Sequence, residues 1–512
     1  MRAFLLLLAM LTPLAGRAEP LPLGRGLNQR LMAEVFATAL GFMAPRTLEP
    51  VAMPQMALWA LSGLARIDPM LTSSITDNTL ILAAPGRVVF ARRVPAADDA
   101  DGWGEALADA AHAAWSYSAA ARASGTQGMI GAMLGTLCGH LDPYSRYAAP
   151  AEADADRERR AGAAGIGATV ALHGGAFVIA EAADDGPAAA AGIRAGDRLL
   201  AVDHESVQGA DLQSVQALLA GPEGTGVVLT LRQRGGQERS VEIVRSLRPP
   251  TTVAAELRAD LLVLRVSSFT SDTGARLAQA LLDGLSSPRR PRGVVLDLRG
   301  NRGGLLLQAV AAAETLLPRG IVATTEGRDP AARHEFVAHG ADLSAGLPVV
   351  VLVDGGSASA AEVLAAALAD QHRAVVVGSV TYGKGLVQTV VPLPDGGELL
   401  VSWSRLLAPL GWPIQQLGVL PQVCTSQGAA MLSRQLERLA RGDQPMAAAL
   451  ARDRAARPPL APELLLDLRT TCPQGAGGAL DLVAAHRLLH DPAAYAAALI
   501  GPPPSSVAAR LQ

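Results

Sequence analysis

Three short stretches of this chain set reactive side chains among small residues. The first, Gly355-Gly356-Ser357-Ala358-Ser359-Ala360-Ala361-Glu362, follows an apolar run and opens an alanine-rich one. A strand-to-helix turn made of such residues leaves a hydroxyl exposed. The amide that follows, that of Ala360, lies at a helix N-terminus and faces developing negative charge. Taken alone, a serine there is also an ordinary helix cap. The second stretch, Thr381-Tyr382-Gly383-Lys384-Gly385-Leu386-Val387-Gln388, places glycines on both sides of a lysine. A lysine held in an apolar cleft loses hydration of its charged form and its pKa falls; the neutral amine can then take a proton from a serine hydroxyl. The third, Leu296-Asp297-Leu298-Arg299-Gly300-Asn301-Arg302-Gly303-Gly304, reads as a strand, a glycine-rich turn and a helix start. Its backbone N–H groups suit an oxyanion or a phosphate.

Other chemistries fit less well. The spacing of a nucleotide phosphate loop is absent around Lys384, and the third stretch lacks the dinucleotide fingerprint. His334 and His339 stand five positions apart; on a helix at about 100° per residue they diverge, whereas a zinc pair needs i, i+4. His372 reads as the exposed end of a helix. The cysteines lack metal spacing, so no metal site and no cofactor is expected.

The elements that carry these stretches come from the pattern of the chain. Beyond Leu261, strands (Leu261–Val266, Val294–Leu298, Val349–Val353, Ala374–Gly378) alternate with helices (Asp272–Leu285, Leu305–Leu317, Ala360–Ala369). That alternation implies a layered α/β domain with a largely parallel sheet. Functional groups collect beyond the C-terminal strand ends of such sheets, and all three stretches follow strands. A β-rich segment, Gly165–Arg245, precedes this unit, with strands at Ala168–Leu172, Phe177–Ala180, Arg198–Val202, Gly226–Gln233 and Ser240–Val244 and a helix at Leu212–Leu219. Ala151–Arg160 is charged and reads as a linker or exposed helix. Leu27–Ala149 reads as mostly helical, and the chain after Cys424 turns helical again.

At 512 residues, half of them hydrophobic, the chain holds several cores. Its net charge of −3 is interspersed, without the basic stripe of a nucleic-acid binder. Arg2, the apolar run Ala3–Leu11, Pro13 and Gly16-Arg17-Ala18 compose a signal peptide over residues 1–18, too short for a permanent membrane span. The mature chain is therefore expected to be exported, into the periplasm. Of the three cysteines, Cys424 and Cys472 are the candidate disulfide for such a compartment, and Cys138 reads as core.

Five stretches, Leu141-Asp142-Pro143-Tyr144-Ser145-Arg146-Tyr147, the Gly165-Ile166-Gly167 loop, Asp297–Gly304, Ser357–Glu362 and Thr381–Gln388, occur in the order found in C-terminal processing peptidases, the tail-specific proteases. From about Leu27 to Val423 the chain resembles that family. The resemblance implies an α/β multidomain fold: a ClpP/crotonase-like serine peptidase core (247–425) preceded by an inserted β-rich PDZ domain (151–246), with helical N-terminal (19–150) and C-terminal (426–512) regions. It implies that Ser359 is the nucleophile, Lys384 the general base and Gln388 the residue that orients the lysine. The amides of Ala360 and Gly304 would form the oxyanion hole, with Gly303 the alternative. Gly165, Ile166, Gly167 and Ala168 would form a carboxylate loop where a substrate's C-terminal tail adds as a strand. Implied partners are exported proteins cut near their C-termini, together with an activating or adaptor protein. The chain departs from the family at Ala220, where relatives often carry a basic residue that in some couples the PDZ position to the active site. Ala361 and Gln422 also differ from the usual residues, and Leu71–Gln127 has no assignment. A latent or inert PDZ-type peptide-binding scaffold is the rival reading.

Overall fold

A computed structural model of the protein describes residues 26–161, 163–183, 186–221, 223–248 and 251–499. The signal peptide read over residues 1–18 lies outside the described residues. The described residues divide into two units, one within 26–38 and 54–137 and the other within 39–53 and 138–499.

The N-terminal elements are α1 (Gln29–Met43), α2 (Met53–Ser62), β1 (Thr72–Thr76), β2 (Thr79–Ala84), β3 (Arg87–Arg93), α3 (Ala100–Tyr117) and α4 (Ala119–Gly139). Leu27–Ala149 is mostly helical, as its pattern implies, but it also holds an antiparallel meander of β1, β2 and β3 that the pattern did not place. Two tight turns make it. Thr76 pairs with Thr79 around Asp77 and Asn78, both at positive φ (47° and 61°), as a type I′ hairpin requires. Ala84 pairs with Arg87 around Pro85-Gly86. Trp103 of α3 is fully buried and donates its indole N–H to Ala96 O at 2.9 Å.

The second unit continues with β4 (Arg146–Ala148) and α5 (Pro150–Ala161), so the charged stretch is a helix. The β-rich segment follows: β5 (Ala163–Gly165), β6 (Ala168–His173), β7 (Ala176–Ala182), α6 (Pro187–Ala190), β8 (Arg198–Val202), β9 (Glu205–Ser206), α7 (Leu212–Leu219), β10 (Gly226–Arg232), β11 (Glu238–Val244) and β12 (Ser246–Arg248). Its sheet runs β11-β10-β8-β7-β6, so β6 is an edge strand, and β5 pairs with β12. Val170, Phe177, Ile179, Val215 and Leu229 fill its core.

The main sheet is built from β13 (Val253–Arg258), β14 (Leu261–Val266), β15 (Gly293–Asp297), β18 (Val349–Val353), β19 (Ala374–Gly378) and β22 (Val423–Cys424), in that order. All neighbours are parallel except β13 with β14. Strands β15, β18 and β19 are buried at every residue, which is why they read as unbroken Val/Leu runs. Successive side chains take opposite faces. Leu262, Leu264, Val294, Leu296, Val349 and Val351 point to the layer of α8 (Thr273–Leu285), α9 (Leu306–Glu314) and α10 (Ala360–Asp370). Leu261, Val263, Val295, Val350, Leu352 and Val375 point to the other side. That side is covered by α11 (Ala429–Ala440), α14 (Ala479–His490) and α15 (Pro492–Ala498), with α12 (Ala447–Ala455) and α13 (Pro462–Thr471) between them in the chain. Helices α11, α14 and α15 are thus the second covering layer of the main sheet. A further antiparallel sheet, absent from the expectations above, has the order β17 (His334–Ala338), β16 (Gly320–Gly327), β21 (Glu398–Leu407), β20 (Leu386–Pro392), with β4 on β21.

Cys424 and Cys472 form a disulfide with Cα atoms 5.7 Å apart. Cys138 is buried, and burial pushes its thiol up to about 12. Among the described residues no helix is long and apolar enough to cross a membrane.

Candidate active site

Ser359 stands where β18 has ended and α10 begins, with φ 57° and ψ −119°. Such a backbone costs on the order of 1–3 kcal/mol for a residue with a side chain, and persists only where its surroundings over-determine it. They do so here. Ala358 N donates to Asn301 O at 2.9 Å and Ser359 N to Glu362 Oε2 at 2.7 Å. Ahead of it, Asp354 Oδ1 accepts from Gly356 N, Ser357 N and Gly300 N at 2.9–3.0 Å. One carboxylate therefore fastens the serine turn to the glycine-rich turn after β15. Ser357 Oγ completes the seam by donating to Leu298 O at 2.8 Å.

Glu362 does the same between the serine turn and the lysine turn. It is fully buried. Its Oε1 accepts from Gly383 N at 2.7 Å and from Thr381 Oγ1; its Oε2 accepts from Lys384 N at 2.9 Å as well as from Ser359 N. Burial pushes this carboxyl up, and the four donors pull against that. Tyr382 N also donates to Ser357 O at 3.0 Å. The glycines around Lys384 are required by close approach: a Cβ on Gly385 would lie 2.1 Å from Gln415 N, and Gly383 has φ 90°.

The Lys384 side chain is partly buried, and its Nζ sits 5.0 Å from the centre of the Tyr144 ring. Burial lowers its pKa, nearby Arg146 lowers it further and Asp142 opposes them. Tyr144 belongs to a turn knotted by Asp142, whose Oδ1 accepts from Tyr144 N (2.8 Å), Ser145 N (2.9 Å) and Ser402 Oγ on β21 (2.8 Å). Gln388, on β20, does not reach the amine: its Nε2 donates to Tyr144 O. Its contact is thus with the backbone of the residue whose ring packs against Lys384.

The two glycines differ. Gly303 N donates to Asn301 Oδ1 at 2.8 Å. Among the described residues, the amides of Gly304 and Ala360 have no acceptor. Gly304 is held by Phe269, which donates to Gly303 O and accepts from Leu305 N (3.0 and 2.9 Å). A Cβ on Gly303 would come within 2.8 Å of Ser359 Cβ and 3.0 Å of Ala360 N, so the two amide sources and the serine lie side by side.

In the β-rich domain, Gly165 ends β5 and Ala168 begins β6, with Ile166 and Gly167 (φ 74°) turning between them. Among the described residues the amides of Ile166 and Gly167 donate to nothing. Edge strand β6 runs beside α7.

The rejected histidines stay outside. His372 follows the far end of α10 from Ser359, half-buried rather than exposed, and His334 lies on strand β17. His486, His490 and Asp260 cluster at the opposite end of the main sheet. Both ring nitrogens of His490 are engaged, by His486 O (2.8 Å) and Asp260 Oδ2 (2.9 Å), and Arg292 pairs with Asp260, so the trio reads as an ion-pair network. Sequence reasoning missed Asp354, Asn301, Tyr144 and the role of Glu362. The available signal was a glutamate on the first turn of a helix with no polar face.

Known proteins resemble this chain in sequence. Residues 260–425 match peptidase family S41 and residues 178–233 match the PDZ domain. The carboxy-terminal-processing protease of Bartonella bacilliformis is 35% identical over 291 residues, covering 56% of this chain and 67% of that protein. The chloroplastic C-terminal processing peptidase of Tetradesmus obliquus is 36% identical over 305 residues, 55% of this chain and 64% of that protein. Among solved structures, the photosystem II D1 C-terminal processing protease is 33% identical, with 57% of this chain and 81% of that one covered at a TM-score of 0.35. The fold and site define a serine-type peptidase with a PDZ domain. The chain belongs to peptidase family S41, among the carboxy-terminal-processing proteases.

Proposed function

We propose that the protein is an endopeptidase that captures the C-terminal tails of exported proteins on its PDZ domain and cuts near them with Ser359 and Lys384. The neutral amine of Lys384 takes the Ser359 proton as Oγ attacks the scissile carbonyl. The oxyanion forms between the amides of Ala360 and Gly304, where one such donor is worth about 2.7–4 kcal/mol. Collapse breaks the C–N bond, and the lysine ammonium returns the proton to the leaving amine. Water, deprotonated by the same amine, attacks the acyl-enzyme ester and releases the new carboxyl terminus. Gln388 steadies the base through Tyr144. The substrate's terminal carboxylate would rest on the Gly165–Ala168 turn, its tail pairing with β6.

The observation that carries this reading is Glu362, whose carboxyl holds the backbones of Ser359 and Lys384 together. The test is cleavage of a tailed protein by the purified mature chain, with Ser359→Ala and Lys384→Ala each expected to abolish it. Cleavage by both variants overturns the assignment. N-terminal sequencing of the exported form, expected to begin near residue 19, tests localisation. One feature favours the rival latent scaffold: Lys384 Nζ packs on Tyr144 and, among the described residues, hydrogen-bonds to nothing. Tight tail binding without turnover would select it.

A further inference from the structure

The C-terminal layer sends one connection back across the active-site end of the sheet. It runs from the end of α13 to the start of α14, and it touches all three turns. Arg469 donates to Gln416 O (2.9 Å), Leu417 O (3.1 Å) and Thr381 O (3.3 Å), the last in the lysine turn. Cys472 O accepts from Val380 N at 3.4 Å. Gly475 exchanges bonds with Ser379 Oγ (3.0 and 3.1 Å), and its carbonyl also accepts from Gly355 N at 2.8 Å. Gln474 Nε2 donates to Gly355 O at 2.9 Å, so the serine turn is gripped from both sides. Gly477 N reaches Asp354 Oδ2 at 3.1 Å. Arg299, in the glycine-rich turn, donates to Gly478 O and to buried Asp481, both at 2.9 Å.

The fit leaves no slack. A Cβ on Gly477 would lie 2.4 Å from Arg299 Cδ, and one on Gly355 would lie 2.4 Å from Gln474 Cγ. Most of these bonds go to backbone or to Asp354, the carboxylate that joins two of the turns; the others go to Ser379 Oγ and the Arg299 guanidinium. The strap is tied down by the Cys424–Cys472 disulfide, whose other half-cystine ends β22 at the edge of the same sheet.

We propose that Arg469–Asp481 is a positioning strap, locked by the Cys424–Cys472 disulfide, that holds the serine, lysine and oxyanion turns in register for catalysis. The inference rests on the peptidase reading for its consequence and on the geometry alone for its mechanical part. Without the strap, Glu362 and Asp354 still join the turns pairwise, but among the described residues no other single segment touches all three. The disulfide therefore makes turnover depend on oxidation, as suits an exported enzyme.

Two perturbations test it in the full mature chain: Arg469→Ala with Gln474→Ala, which keeps the disulfide, and Cys424→Ser with Cys472→Ser, compared with reduced wild type. Hydrogen exchange read on peptides covering 299–304, 354–360 and 379–384 is expected to quicken about tenfold or more while the PDZ strands keep their protection. The kcat on a tailed peptide is expected to fall about a hundredfold, the scale of a small misplacement of reacting groups, with KM and tail affinity within about twofold. Reoxidation of reduced wild type should restore both. Unchanged exchange in the three turns overturns the strap, as does uniform loss of protection across the whole sheet, which marks a staple of stability only. If oxidised wild type neither cleaves nor is labelled at Ser359 by a fluorophosphonate, the peptidase reading falls, and the exchange measurement still decides the strap.

Discussion

Replacing Glu362 by glutamine keeps its shape and removes one acceptor oxygen, so the outcome can be worked out donor by donor. The carboxyl receives Thr381 Oγ1 and Gly383 N on one oxygen, and Ser359 N and Lys384 N on the other. If the new amide nitrogen faces Ser359 and Lys384, two backbone N–H groups lose their acceptor. If it faces Thr381, the hydroxyl can turn and accept from it as well as from Val419 N, which already donates there at 2.7 Å. Only Gly383 N is then stranded, so this orientation wins. One buried donor without an acceptor costs about 1–3 kcal/mol. The cost falls beside Lys384; if the competent geometry bears all of it, kcat drops roughly 5- to 160-fold. Glu362→Ala strands three amides, about 3–9 kcal/mol, comparable with the whole stability of a domain. Steady-state cleavage and the rate of fluorophosphonate labelling at Ser359 measure the first, calorimetry the second. A glutamine variant with wild-type kcat and unchanged melting would refute the claim that this carboxyl joins nucleophile to base.

Four further outcomes follow from the same geometry. Burial and then Arg146 lower Lys384, while Asp142 opposes; activity should therefore rise with pH through a value below the ordinary lysine range and vanish below it. Arg146→Gln should move that acid limb to higher pH, and an unmoved limb in the pH profile of acylation counts against Lys384 as the base. Because the folded pKa of Lys384 lies below its unfolded value, the charged amine destabilises the fold in full below the folded pKa, and the penalty disappears as pH rises past the unfolded one. Lys384→Met should accordingly raise the melting temperature at neutral pH, with the gain fading in alkali. Ser359→Gly should abolish cleavage yet stabilise by about 1–3 kcal/mol through relief of the φ 57° backbone, whereas Ser359→Ala should abolish cleavage with little change in denaturant midpoint. Gly167→Val, at φ 74°, should weaken binding of a tail peptide in fluorescence anisotropy and raise KM; unchanged affinity would place the carboxylate site elsewhere.

What could be read from the residues, and what could not, divides along a physical line. Strands Val349–Val353 and Ala374–Gly378 were legible to the residue because parallel strands covered on both faces must be apolar throughout, and Leu261–Val266 was legible because it departs from that only at the exposed Arg265. The meander at Thr72–Arg93 was missed although Asp77-Asn78 and Pro85-Gly86 are turn signals: its outer strands are half-exposed and mixed in composition, and the central one, apolar with alternating burial, is only six residues long. Strand His334–Ala338 was missed likewise, its five residues carrying no clear alternation of burial. In the site, Ser359, Lys384 and the glycines announce themselves by type, since only a hydroxyl, an amine or a missing Cβ can do what they do. The framework that aims them does not. Ser359 N, Gly383 N, Lys384 N, Gly355 N and Thr381 O are backbone groups, and nearly every residue has such groups. Only the side chains that gather them carry identity: Asp354 and Glu362, carboxylates set among small and apolar neighbours, and Arg469, on a more polar stretch roughly a hundred positions away. A buried carboxyl or guanidinium cannot stand without partners, so such a residue in an otherwise apolar stretch already implies a bundle of donors or acceptors around it. The sequence is silent only about where in the chain those partners come from.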